Sequence, residues 1–97
     1  MAETAEFVDR ISRALGVSHD ELVKRGVEEF LQARLRACLA EIHDLEVRYG
    51  VKGSEGLDEK IRKGAVDEHP AWEDLIVLES LEERVGKIRR ELTALLS

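Results

Sequence analysis

The chain has no asparagine, and one residue each of glutamine, proline, cysteine, methionine, tryptophan and tyrosine among its 97 positions. A single cysteine, Cys38, cannot form an internal disulfide and suits a reducing compartment. Leu35, Leu39 and Ile42 surround it at helical spacing, so a buried structural thiol is expected. No uncharged apolar run exceeds four residues, as at Leu75 to Leu78. A membrane span needs about 20, so no membrane association is expected. Acidic Glu3 and Glu6 stand where a secretory leader is basic, and cytoplasmic residence is the expectation. Basic residues are the minority, 15 Lys and Arg against 21 Asp and Glu, for a net charge of −6. This balance argues against a general nucleic-acid binder, which needs a basic face. Charged residues nevertheless reach 37%. With so little Asn, Gln, Cys and Met, that composition fits a thermophile. Length and composition together fit a single domain over residues 1–97.

What is present is helical patterning with sharp punctuation. Phe7, Val8, Ile11, Ala14 and Leu15 form an amphipathic stripe that predicts a helix over residues 4–15, stopped by Gly16. Ser18 and Glu21 make an S-x-x-E capping box, and Val17 and Leu22 a hydrophobic staple, at the start of a second helix. No breaker follows before Gly50, so this helix is expected over 18–49, about 46 Å long at 1.5 Å per residue. Gly26 lies inside it at a cost of roughly 1 kcal/mol against Ala, either to let another helix approach or as a harmless surface residue. From Leu31 the helix carries a heptad seam: Leu31, Leu35, Cys38, Ile42, Leu45 and Tyr49. Residues 55–63 read as a short helix with Ser54 as N-cap and Gly64 as stop. Pro70 opens a last helix over 70–96, seamed by Leu78, Leu81, Val85, Ile88, Leu92 and Leu95.

Two matching seams joined by a reversing connection predict an all-α protein: an antiparallel coiled-coil hairpin with a short N-terminal helix and a short capping helix in the connection. Apolar residues gather at the hairpin tip, among them Val47, Val51, Val66, Leu75 and Ile76. Trp72 is expected to anchor this end together with Tyr49, Leu57 and Ile61. The first helix and the start of the second have no internal seam to meet. Phe7, Val8, Ile11, Leu15, Val23, Val27 and Phe30 are therefore the candidates for a dimer or partner interface, and a homodimer is expected; the alternative is that the first helix covers this surface within one chain.

No catalytic constellation appears. His19, His43 and His69 are scattered, without Cys or carboxylate at metal-ligand spacing. No phosphate-binding loop, dinucleotide fingerprint, nucleophile elbow or C-x-x-C is present, so no cofactor and no enzymatic activity is expected. A helical mutase-like fold would need cations in the seams, and the seams are aliphatic. Neighbouring acids such as Glu28 and Glu29, or Glu82 and Glu83, splay apart on a helix and read as solvated faces.

The stretch Ala14 to Leu31, with its Leu15-Gly16-Val17-Ser18 turn and Glu21-Leu22, resembles the two helices of ribbon-helix-helix proteins. That family reads DNA with a strand ahead of the first helix, and only Met1-Ala2-Glu3 stands there in this sequence. The free protein is accordingly not expected to bind DNA tightly. A second resemblance covers residues 27–96. Tyr49-Gly50-Val51, Leu57 to Gly64 and Glu68-His69-Pro70-Ala71-Trp72-Glu73-Asp74-Leu75 resemble small prokaryotic, often archaeal, proteins assigned as antitoxins of type II toxin–antitoxin pairs. The resemblance implies a non-catalytic protein-interaction module that binds and neutralises a toxin protein, and the net charge of −6 suits a basic one. The competing expectations are a structural or chaperone-like coiled-coil homodimer and a weak DNA-binding regulator.

Overall fold

A computed structural model describes residues 2–97 as four helices: α1 (Ala2–Leu15), α2 (His19–Tyr49), α3 (Gly53–Arg62) and α4 (Glu68–Leu96). There is no strand among the described residues, and the protein is all-α. The helix ends follow from local chemistry. The Ser18 hydroxyl accepts from the Glu21 amide at 3.0 Å, which satisfies one of the unpaired amides of the first turn of α2. The return half of that box does not form, because the Glu21 carboxylate pairs with Arg25 at 3.3 Å instead. At its other end α2 stops at Gly50, which takes the left-handed conformation with φ 63° and donates back to Glu46 and Val47. His69 leaves the helical region at φ −108° and ψ 124°, as the residue before a proline tends to, so the regular part of α4 begins at Pro70.

α4 returns along α2 in the opposite direction. Arg48 at the end of α2 meets Asp74 near the start of α4 at 3.2 Å, and the Tyr49 hydroxyl donates to the same carboxylate. Between the helices lies the core: Cys38 and Leu45 from α2, Leu57 and Ile61 from α3, and Ala71, Leu75, Leu78, Leu81, Val85, Ile88 and Leu92 from α4. Leu31, Leu35, Ile42 and Tyr49 pack against it from α2. Each fully buried Leu contributes about 1.5–3 kcal/mol by leaving water.

α3 closes the tip through charged groups that are distant in sequence. Gly53 sits at φ 73°, a conformation that other residues adopt only with strain, and its amide donates to Glu46 Oε2 at 2.8 Å. The Ser54 amide donates to Glu82 Oε2 at 2.9 Å, and the Ser54 hydroxyl donates to the other oxygen of the same carboxylate. The expectation that Ser54 itself caps α3 is thereby corrected: the cap is built from carboxylates of α2 and α4, which also complement the positive end of the α3 dipole. Glu82 is half-buried and bonded, not part of a solvated face. In return Lys60 Nζ donates to the Tyr49 carbonyl at 2.7 Å, at the negative end of α2.

The Trp72 expectation is also corrected. Trp72 is 46% exposed and Ile76 62%, whereas Ala71 and Leu75 are buried. Each step along a helix turns the side chain by about 100°. Ala71 and Leu75 continue the α4 seam, so Trp72 and Ile76, one residue on, are carried outside it. Val47 is likewise exposed, while Leu57 and Ile61 are buried and Tyr49 is half-buried.

Burial raises the Tyr49 hydroxyl above its ordinary value of 10.0, and the hydrogen bond and charge of Asp74 raise it further. Above pH 10 the unfolded chain therefore loses this proton first, and stability falls as pH rises from there through the folded-state value. Tyr49→Phe should flatten that alkaline limb in denaturant titrations. Because Tyr49 is the only tyrosine, tyrosinate absorbance reads its titration directly; a midpoint at or below 10 in the folded protein would refute the argument.

Candidate functional site

The molecule is elongated, 60 × 27 × 19 Å, with a radius of gyration of 19.4 Å. A compact domain of this length has about 13 Å. An extended shape leaves apolar surface uncovered, and two places gather several large side chains each.

The first is the junction of α1 with the opening turns of α2. α1 folds back on α2 through the Gly16 turn, where the Val17 amide donates to the Ser12 carbonyl at 3.1 Å. Val8, Ser12, Val17 and Leu22 are half-buried by this contact. It does not close. An open cleft of about 510 Å³ remains, walled by Phe7, Val8 and Ile11 of α1 and by Val23, Gly26, Val27 and Phe30 of α2. Every interface candidate except Val8 is exposed, from Ile11 at 41% to Leu15 at 69%. The structure brings Phe7, Val8, Ile11, Val23, Val27 and Phe30 to one cleft, and Leu15 lies at the turn end of α1 outside its lining. Within the chain α1 covers this surface in part only. The two phenylalanines carry guanidinium groups over their rings, Arg10 at 4.6 Å from the Phe7 centroid and Arg34 at 5.5 Å from that of Phe30. Gly26 lies in the cleft with nothing within 4 Å of where a Cβ would stand.

The second surface is the outer side of the first half of α4. Trp72, Ile76 and Val77 are exposed there. Val77 and Ile76 border a shallow groove against α2, lined also by Glu41 of α2 and by Arg84 at its far end on α4. From Gly64 to Glu83 the chain has no Lys or Arg, and Asp67, Glu68, Glu73, Asp74, Glu79, Glu82 and Glu83 fall in that interval. Of these, Asp74 and Glu82 are engaged by Arg48, Tyr49 and Ser54, and the other five are exposed. Sequence reasoning assigned Trp72 to the core and missed this face. Its signal is the coincidence of large apolar residues outside the seam with a stretch free of Lys and Arg.

The full-length pattern, residues 1–97, matches one family model. The chain belongs to the Uncharacterized protein MJ0235 family. No curated protein and no solved structure matches it.

His19, His43 and His69 are all exposed; His69 Nδ1 lies 3.5 Å from Glu73, and the others stand apart. Among the described residues no group of three or more His, Cys, Asp or Glu is placed to hold a metal ion. No helix among them is long and apolar enough to cross a membrane. Cys38 is buried in the α2–α4 seam.

Proposed function

We propose that this protein is a non-catalytic interaction module that binds and neutralises a basic partner protein, in the manner of an antitoxin, through the outer face of the first half of α4. The observation that carries the reading is Trp72 standing exposed with Ile76 and Val77 in a stretch with no Lys or Arg. Trp is enriched among residues that dominate binding energy, and a monomer gains nothing from leaving it in water. Glu73 beside it and the exposed Glu79 farther along the helix would steer a positively charged partner and reject an acidic one. The resemblance of residues 27–96 to type II antitoxins supports the same reading, since toxins that cleave nucleic acid present basic surfaces.

The test is co-purification with, and rescue from, the product of the adjoining gene. Trp72→Ala should weaken binding by about tenfold or more. Its folding stability should stay within about 0.5 kcal/mol of wild type, because the side chain is outside the core. Raising ionic strength should slow association. A neighbour that is neither basic nor toxic, with no growth rescue on co-expression, would remove the proposal. So would a Trp72→Ala protein that binds as wild type does.

A further inference from the structure

We propose that the α1–α2 cleft is filled by a second copy of this chain, laid antiparallel across α1 about a two-fold axis near Val8. The inference is independent of the α4 face, which lies on another helix.

The argument starts from charge order. Glu3, Glu6, Arg10 and Arg13 lie on one edge of α1 and, with Phe7, line a single shallow depression beside the apolar cleft. The acidic pair is at one end and the basic pair at the other. Glu3 and Arg13 are each five residues from Val8, and Glu6 and Arg10 are each two residues from it. Rotating one copy by a half-turn about Val8 therefore sets Glu3 against Arg13 of the second copy and Glu6 against Arg10, with both exchanges repeated by symmetry. A parallel arrangement would oppose like charges. This is the self-complementarity that an isologous contact demands. Among the described residues none of the four is ion-paired within the chain.

The apolar area is of the right order. A phenylalanine offers about 150–250 Å², so Phe7 at 54% and Phe30 at 60% exposure supply about 200 Å² between them. Ile11, Val23 and Val27 continue the patch, Leu15 lies exposed beyond it at the turn end of α1, and Arg10 and Arg13 line the adjoining depression with Phe7. Stable dimers bury about 800 Å² on each partner, within reach of a face spanning two helices. Gly26, with open space above it, gives a bulky side chain of the second copy a place to rest on the α2 backbone. A glycine that costs helix stability then has a use.

Sedimentation equilibrium of the full chain tests this. Wild type should be a dimer at micromolar concentration. The charge-reversed pairs Glu3→Arg with Glu6→Arg, and Arg10→Glu with Arg13→Glu, should each self-associate about tenfold more weakly, because like charges then face each other across the axis. Both variant chains retain a net negative charge, yet an equimolar mixture should restore dimers containing one of each. All four positions are exposed, and circular dichroism checks that helix content is kept. A wild type that sediments as a monomer, and so leaves the cleft to a different chain, would overturn the proposal. Variants that dimerise like wild type, or whose mixture forms no heterodimer, would overturn the antiparallel arrangement.

Discussion

Leu78→Ala is expected to lower folding stability by about 2–5 kcal/mol and the thermal midpoint by at least about 10 °C. Leu78 is completely buried in the α4 seam, within the core cluster to which α2 and α3 also contribute. Truncation there removes its transfer from water and leaves a cavity that two long helices and a riveted short one cannot collapse to fill. A domain of this size holds about 5–15 kcal/mol in all, so one such change takes a large share of it. Ile76→Ala is the internal control. It lies two residues away on the same helix but is 62% exposed, and should change stability by no more than about 0.5 kcal/mol. Thermal and denaturant melts of the three proteins decide the matter. Equal losses at positions 76 and 78 would mean that the α4 register is wrong.

The second large effect is expected at Glu82. Its carboxylate accepts from the Ser54 amide and hydroxyl and so holds the first turn of α3 to α4. Hydrogen bonds to a charged group contribute about 1.5–3 kcal/mol each, and losing both leaves α3 without one of its two carboxylate caps. Glu82→Ala should cost about 2–3 kcal/mol, less than the sum of the two bonds, because both groups are only half-buried and water replaces part of what is lost. It should also speed amide exchange selectively over residues 53–57, because the damage is local to one end of the molecule. Glu83→Ala removes an equal charge one position along, from an exposed pair with Lys87 at 3.5 Å, and should have almost no effect. If Glu82→Ala and Glu83→Ala behave alike, or if exchange over α3 stays slow without Glu82, the proposed rivet does not exist.

These two sites mark different kinds of legibility. Leu78 could be named from the sequence because a seam repeats: Leu78, Leu81, Val85, Ile88 and Leu92 state their face by spacing alone, and all are buried. The same holds for Ser18 and Gly50, whose roles act within a few residues of chain. Glu82 could not be named that way. Its partner Ser54 is 28 residues distant, and nothing in the local pattern separates Glu82 from its exposed neighbour Glu83. The interface candidates fall between these cases. Spacing put Phe7, Val8 and Ile11 on one side of α1, and Val23, Val27 and Phe30 near one another on α2, but not how far α1 would close over them.

Local repetition thus determined that the chain is helical, where most helices begin and end, and which stripe of α2 and α4 turns inward. These properties depend on neighbours within a turn or two. Tertiary structure alone decided the register at which the stripes meet. One residue is a turn of about 100°, so the choice between Ala71 and Trp72 at the seam reversed the role of the largest side chain in the protein, from anchor to exposed surface. It also decided that the α3 cap comes from Glu46 and Glu82, because bonds between elements depend on distance in space, which the order of residues along each helix does not contain.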